Sequence, residues 1–364
     1  MNHLINKSVL ATAIFLCLHG NAQAATSKAL PRVVVTANRL EVPVDEALAS
    51  VTVLTRADIE QSQAPDLIDL LARQAGIDVA RTGGPGSAST VFMRGSNSNH
   101  TLVLVDGIRV NSSTQGIIDF AHLPLAQIER IEIVRGPRAA LWGSDAIGGV
   151  IHIFTRDPSR AFVEAHVGSY QRVGATAGIG AEWGDTRLGI AAGAEHLRGF
   201  SATNNRAYGY DPDTDGYRNR NVSVRGQTVI GTQRLSGSAL LTDADVEFDQ
   251  GRTSAINRVF GVNLAGDLSA RWSHSLTLGR SSEQLDTPAY SSRFGSSRNS
   301  VDWINTLQLD RDNTVNVGFN WSHESAFTDG SYEHARRNTA LFASWRGRFA
   351  THLLDVSLRR DDNS

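Results

Sequence analysis

From about residue 160 to Ser364 the chain repeats one pattern: apolar and polar residues alternate with period two. Val173, Ala175, Ala177, Ile179, Ala181 and Trp183 fall on one side of such a run, with Gly, Thr and Glu between them. Val301, Trp303, Leu307 and Leu309 alternate with Asp302, Thr306 and Gln308. Val315, Val317, Phe319 and Trp321 alternate with Asn316, Gly318, Asn320 and Ser322. Leu354, Val356 and Leu358 alternate with Asp355 and Ser357. Successive side chains of a strand point to opposite faces, so each run reads as a strand with one apolar and one polar face. We read eleven strands, near 160–168, 172–183, 186–199, 220–231, 234–245, 257–268, 271–284, 299–310, 314–325, 335–346 and 350–360.

The connections alternate as well. Gly184-Asp185, Thr232-Gln233 and Arg311-Asp312-Asn313 are tight, whereas 200–219, 246–256, 285–298 and 326–334 are long and polar. Short turns at one end and long loops at the other, joining strands of about ten residues or slightly more, predict a transmembrane β-barrel. Trp183, Trp272, Trp303, Trp321 and Trp345 read as its aromatic girdle near strand ends. The alternative with the same alternation is a soluble β-sandwich or β-helix. The composition, with 33 Gly and 9 Pro in 364 residues, suits a sheet with many tight turns. Thirty-five basic and 37 acidic residues leave a net charge of -2, which provides no cationic face for nucleic acid.

The longest apolar run, Val9 to Leu18, has ten residues, half of the roughly 20 that a spanning helix needs. Lys7 precedes it and Ala22-Gln23-Ala24 follows it, so residues 1–24 read as a secretory signal. The only cysteine, Cys17, lies inside that segment; the mature chain would hold no disulfide, thiol nucleophile or thiolate ligand. Residues 25–40 read as a linker with a short β-prone stretch. Residues 41–157 read as a mixed α/β domain and 158–364 as the strand-rich part. In the α/β domain, strands are expected at Val51–Leu54, Thr101–Val105, Ile128–Val134 and Gly148–Phe154. A helix is expected around Leu67, Leu70 and Leu71, with Pro65 at its start and Gly76 at its stop.

No catalytic constellation stands out. The sequence has no P-loop, no complete G-x-G-x-x-G, no G-x-S-x-G elbow and no H-E-x-x-H, so we expect no enzyme. One acidic motif, Asp211-Pro212-Asp213-Thr214-Asp215-Gly216, brings three carboxylates round a tight turn, as oxygen ligands for Ca²⁺. An EF-hand would need Glu at the twelfth position, where Val222 stands, so a solvated acidic loop remains the alternative reading. Asp249, on the next long loop, is a fourth candidate ligand.

Four motifs follow one another in the α/β domain: Arg94-Gly95-Ser96; Val103-Leu104-Val105-Asp106-Gly107-Ile108-Arg109-Val110-Asn111; Ile128-Glu129-Arg130-Ile131-Glu132-Ile133-Val134-Arg135-Gly136-Pro137; and Trp142-Gly143-Ser144-Asp145-Ala146-Ile147-Gly148-Gly149-Val150-Ile151. Together they resemble the plug of TonB-dependent outer-membrane receptors. Arg32, Val33, Val34, Val35, Thr36 and Ala37 resemble the TonB box of the cobalamin (vitamin B12) transporters in particular, and Arg360-Asp361-Asp362-Asn363-Ser364 resembles a mid-barrel stretch of the same subfamily. The resemblance implies an all-β transmembrane barrel with an N-terminal α/β plug in its lumen. It further implies that the chain is the N-terminal half of a 22-stranded antiparallel barrel.

The function implied is TonB-dependent transport of cobalamin across the bacterial outer membrane. TonB would pair with residues 32–37 as an added strand, outer-membrane lipid would surround the wall, and the receptor would act as a monomer. Thr90, Asn97, Thr114 and Gln115 match plug-loop positions that meet cobalamin. The resemblance also implies that Ca²⁺ on Asp211, Asp213, Asp215 and Asp249 orders two outer loops, with Ser201 standing where the subfamily can place another Asp. A siderophore receptor, or a passive porin or surface-binding barrel, is the alternative.

Overall fold

The computed structural model describes residues 33–34, 42–43 and 47–364, apart from 158, 160, 207–209 and 250. The expected secretory signal and Arg32, Val35, Thr36 and Ala37 lie outside the described residues. Strand β1 (Val33–Val34) pairs antiparallel with β2 (Val42–Pro43).

The next part is built round a five-stranded mixed sheet in the order β3-β8-β9-β6-β7. Its strands are β3 (Ser50–Leu54), β6 (Thr101–Val105), β7 (Ile108–Arg109), β8 (Ile128–Arg135) and β9 (Gly149–Thr155). β6 and β9 run parallel and every residue of both is buried. Strands covered on both faces must be apolar throughout rather than alternating, which is why Leu102-Val103-Leu104-Val105 and Val150-Ile151 read as continuous runs. Helix α1 (Arg56–Ser62) starts at a capping box: the Thr55 hydroxyl accepts from the Asp58 N–H, and the Asp58 carboxylate accepts from the Thr55 N–H. Helix α2 (Leu67–Ala72) is capped by Asp66 and buries Leu67, Ile68, Leu70 and Leu71 against the sheet. Between the helices and β6, β4 (Ile77–Arg81) and β5 (Ser89–Met93) form a separate antiparallel hairpin. A short helix α3 (Ala139–Trp142) follows β8.

The remainder is one antiparallel meander of eleven strands, each paired with the next in sequence. They are β10 (Phe162–Gly168), β11 (Arg172–Trp183), β12 (Thr186–Phe200), β13 (Asp215–Ile230), β14 (Gln233–Phe248), β15 (Gly251–Ser269), β16 (Trp272–Thr287), β17 (Ser292–Gln308), β18 (Asn313–Thr328), β19 (Tyr332–Phe349) and β20 (His352–Asn363). β10 and β20 are the edges of this open sheet. One face exposes Ile190, Val222, Phe260, Val262, Leu278, Val317, Leu341 and Val356. The opposite face buries Asn219, Asn221, Ser223, Thr242, Arg298, Asn316 and Glu324. Apolar residues outward and polar residues inward is the inverse of a soluble protein, and it is what a barrel wall in lipid requires. No helix among the described residues is long and apolar enough to cross a membrane.

The strands expected from the alternation are all present, but most are longer. β14 to β19 run to between 16 and 19 residues. Three of the expected long loops therefore contract: β14 ends at Phe248 and β15 begins at Gly251, β16 ends at Thr287 and β17 begins at Ser292, and β18 ends at Thr328 and β19 begins at Tyr332; only the connection between β12 and β13 remains long. Ladder pairing continues above the apolar band, where the outward residues turn largely polar, as at Asp245, Glu247, Arg252 and Asp286. The longer strands also leave Trp303 and Trp321 well inside β17 and β18, not at a rim; Trp183 and Trp272 do stand at strand ends.

The wall holds the five-stranded domain from many strands. Arg172 on β11 donates to the Pro65 carbonyl at 2.5 Å, Arg225 on β13 donates to Asp106 at 3.0 Å and to the Thr155 carbonyl at 2.6 Å, and Arg359 on β20 donates to the Leu141 carbonyl at 3.3 Å. Inside, Gly149 has φ +151°, and a Cβ there would overlap the Val134 carbonyl oxygen and Met93 Sδ. Gly149→Ala should therefore open the β8–β9 ladder at its start and lower the stability of this domain by more than about 2 kcal/mol. Limited proteolysis of the protein in detergent checks this: residues 50–155 should be cut faster while the wall strands stay protected, and an unchanged cleavage rate would refute it.

Candidate ligand and cation site above the plug

The β4–β5 hairpin carries a tight loop, Gly83-Gly84-Pro85-Gly86, at one end of the plug. Gly86 has φ +86°, and a Cβ at that position would overlap the Tyr217 ring of β13. Glycine therefore lets the loop seat directly against the wall. Above this seat lies a cavity of about 710 Å³. Thr82 to Ala88, Gln115, Asp119 and His122 line it from the plug; Asp215, Glu247, Phe248, Tyr290 and Phe294 line it from the wall. Phe248 and Tyr290 stack with ring centroids 5.7 Å apart, which gives the cavity an aromatic side as well as a polar floor.

Below the cavity, the inward residues of β13 form a polar seam with the plug. The Tyr217 hydroxyl donates to the Ala121 carbonyl at 3.1 Å and lies 3.3 Å from His122 Nδ1. Asn219 Nδ2 donates to the His122 carbonyl at 3.1 Å, Gln127 Nε2 donates to Asn221 Oδ1 at 2.8 Å, and the Ser223 hydroxyl donates to Gln127 Oε1 at 2.5 Å. His122 Nε2 stands 3.3 Å from Asp119 Oδ2. Burial raises the Asp119 carboxyl above the ordinary carboxylate range, against the opposing pull of His122 and the Ala121 N–H. Elsewhere in the plug, buried Arg135 donates to the Ala75 carbonyl at 2.7 Å and to the Thr52 hydroxyl at 2.8 Å.

At the cavity rim, Asp213, Asp215 and Asp249 converge, each offering a carboxylate oxygen within 4.8 Å of the others. Asp215 is 5% exposed, and one of its oxygens accepts from the Ala202 N–H at 2.6 Å. The other oxygen, Oδ1, is buried without a donor, as is Asp249 Oδ1. The Thr203 hydroxyl donates to Asp249 Oδ2, which links the two connections directly. Buried carboxylate oxygens facing one another without donors are the electrostatics of a cation site. Asp211 is exposed and outside the converging set; its carbonyl accepts from Ser201 at 3.1 Å.

Gln115 alone of the four residues matched to a ligand role lines the large cavity. Thr114 is its exposed neighbour and shares a 3.0 Å hydrogen bond with Ser112. Asn97 is exposed before a short 3-10 turn at Ser98–His100, and Thr90 lies on β5 beside a void of about 10 Å³. The wall residues Phe248 and Tyr290 escape a reading of the plug motifs. Their signal is only an aromatic pair where two strands end.

Slight desolvation, then repulsion from Asp211, Asp249 and Glu247, raises the carboxyl of exposed Asp213 above its ordinary value. An acid whose pKa is raised by the packed arrangement favours that arrangement when protonated and opposes it as the pH rises through that pKa. With chelator present, the amides of Asp211 and of residues 213–215 should therefore be better protected from exchange near pH 4 to 5, in the carboxylate range, than near pH 7, after correction for intrinsic rates. Asp213→Asn should flatten the profile. Protection that is flat in the unaltered protein would contradict the assignment.

The arrangement has relatives. Residues 43–150 match the TonB-dependent Receptor Plug Domain. Over 99% of this chain, the sequence is 33% identical to the Vitamin B12 transporter BtuB of Photobacterium profundum, of which it covers 61%. It is 34% identical to the transporter of the same name from Vibrio vulnificus, over 82% of this chain and 50% of that one. The chain thus spans between half and about three fifths of the length of these curated relatives. Among solved structures, the pyoverdine outer membrane receptor FpvA from Pseudomonas aeruginosa PAO1 superposes with a TM-score of 0.75. That match has 17% identity and covers 92% of this chain and 59% of the other. The siderophore receptor PirA from Pseudomonas aeruginosa gives 0.68 at 21% identity, covering 86% of this chain and 56% of the other. At such identities the structures speak for the fold, and the sequence relatives speak for the branch. Residues 43–150 are thus a TonB-dependent receptor plug domain, and the chain as a whole is similar in fold to outer-membrane receptors and in sequence to vitamin B12 transporters.

Proposed function

We propose that this receptor takes up cobalamin through TonB. The observation that carries the reading is the similarity to vitamin B12 transporters over 99% of the chain, including both sides of the 710 Å³ cavity above the plug. A corrinoid is large, with a broad apolar edge and peripheral amides. The cavity offers aromatic rings at Phe248 and Tyr290 for the edge, and Gln115 and Thr82 as hydrogen-bonding groups. Thr90, Asn97 and Thr114 contribute, on this reading, through the plug loops they stand on.

Asp213, Asp215 and Asp249 would hold Ca²⁺, with Asp211 at the margin; the cation supplies the positive charge that cancels their mutual repulsion. The unpartnered oxygens of Asp215 and Asp249 support that fit. Tying the 201–214 loop to the β14–β15 connection before the ligand arrives removes an ordering cost from ligand binding. Linkage then requires cobalamin to tighten calcium by the same factor. A coupling of about 1–3 kcal/mol corresponds to a factor of roughly 5–150. Titration of the purified receptor with cyanocobalamin, in calcium and in chelator, should show an affinity ratio in that range. The ratio should collapse towards one in the Asp213→Asn, Asp215→Asn double variant. An affinity indifferent to calcium would remove the metal from the reading, and binding of a ferric siderophore in place of cyanocobalamin would replace it.

On the periplasmic side, residues 32–37 would add to TonB as a strand. Main-chain hydrogen bonds supply most of the affinity in that mode. Proline has no N–H to donate, so Val34→Pro should interrupt the added strand. In cells expressing the receptor from its native gene, uptake of labelled cobalamin should fall at least tenfold while binding at the cell surface persists. Equal loss of binding and uptake would show that the segment acts elsewhere.

A further inference from the structure

Most of the outward face of the wall is apolar, as lipid demands, but a band of guanidinium groups interrupts it. Arg258 on β15 and Arg280 on β16 are both exposed, on the face that also carries Phe260 and Leu278. Their sequence neighbours Val259 and Ser281 are buried on the other face. Phe260 pairs with Arg280 and Arg258 pairs with Ser282, so the two arginines are diagonal neighbours, about 7–8 Å apart at their Cα atoms. Arg220 on β13 is exposed on the same face, two strands away.

The height of this band is set by the strand ends. Arg258 stands eleven residues above Ser269, where β15 ends, and Arg280 stands eight residues above Trp272, where β16 begins. A tilted strand climbs about 2.5 Å per residue along the barrel axis. The two guanidiniums therefore leave the wall about 20–28 Å above the rim of short turns, at the outer boundary of an apolar band about 25 Å tall. Lipid head groups begin at that height.

Directly below them the wall is grooved. An open depression of about 640 Å³ has Gly226, Gly237 and Ala239 as a shallow floor and Phe260, Leu278 and Trp321 as walls, with Arg280 and Asn299 at one end. Arg280 Nη1 donates to Asn299 Oδ1 at 3.3 Å. His323 pairs directly with Asn299 across β17 and β18, and its Nδ1 is buried without a hydrogen-bond partner. The nearest outward carboxylate, Asp243, pairs with Arg220. Among the described residues neither Arg258 nor Arg280 forms an ion pair. Three cations thus face one anion at the level where the membrane surface is charged.

We propose that this patch is a binding site for an acyl lipid of the outer leaflet that carries phosphate on its head group. One acyl chain would lie in the groove between Phe260 and Trp321, and the phosphate would meet Arg258 and Arg280, with Asn299 and His323 as further hydrogen-bonding groups. Guanidinium groups match phosphate in geometry as well as charge, and doing so at the edge of lipid, where screening by water is reduced, strengthens each bond. The site rests on the outer-membrane placement alone, and its test involves no corrinoid, so it stands or falls apart from the cobalamin reading.

The experiment is native mass spectrometry of the receptor purified in detergent, with bisphosphorylated lipid A and its dephosphorylated form as probes. The receptor should retain the phosphorylated probe at least tenfold better. Arg258→Gln with Arg280→Gln should abolish that preference, and Arg280→Lys, which keeps the charge without the planar fork, should keep only part of it. Gly237→Leu, which fills the groove floor, should weaken both probes alike. Heat-modifiable mobility on gels confirms that each variant is folded. Retention of the preference in the double variant would overturn the site. So would an equal loss in Arg311→Gln, an exposed arginine in a turn at the opposite end, since that would mark unspecific charge attraction.

Discussion

Everything in this structure depends on keeping the wall's backbone paired where no water can reach it. An unpaired N–H or C=O in lipid costs several kcal/mol, so the chain must cross as strands that satisfy one another. That requirement fixes the period of two. One set of side chains must face lipid and the other must face whatever fills the lumen. The filling is a folded domain whose surface is polar, so the inward set is polar too. Asn219, Asn221 and Ser223 are buried for that reason, although no soluble fold would place three such residues in a row on its core side.

The contact between wall and plug is accordingly rich in hydrogen bonds, with a smaller apolar part where Leu240, Val259 and Phe342 of the wall pack into the plug's clusters. Each bond contributes only about 0.5–1.5 kcal/mol net, because water competes for both partners when they part. Asp106 shows how the plug is fastened without being fused to the wall. It sits with Gly107 in a tight turn, both at positive φ, and it accepts from Thr155 of β9 and from Arg225 of β13. One carboxylate thus joins two plug strands to the wall. Hydrophobic packing within the plug, with Leu67, Leu71, Ile131 and Ile151 fully buried, keeps the domain itself intact. The plug is thus held together more firmly by its own core than it is held to the wall.

The outer end follows a different rule. There the strands leave the lipid, and the outward residues are no longer mainly apolar. Charge takes over: Asp213, Asp215 and Asp249 repel one another across two connections, with donors for only some of their oxygens. Such an arrangement is poorly stable by itself and responsive to whatever neutralises it.

Much of this was legible in the amino-acid order. The alternation from residue 160 onward specifies eleven strands, because lipid on one side and a polar lumen on the other leave no other pattern. The continuous runs of β6 and β9 mark a sheet buried on both faces, and the plug motifs identify the family. The sequence could not say how far the strands continue past the membrane, because main-chain pairing needs no particular side chain; β15 therefore extends to 19 residues where the alternation alone suggested about twelve. Nor could it say which polar residues share a site. Asp249 meets Asp213 and Asp215, Asp211 does not, and Thr90 and Asn97 stand away from the cavity that Gln115 lines. Local order determines which face a side chain takes, since that depends only on its neighbours along one strand. Which side chains converge depends on the register of several strands and on how the plug seats among them, and only the tertiary structure decides that.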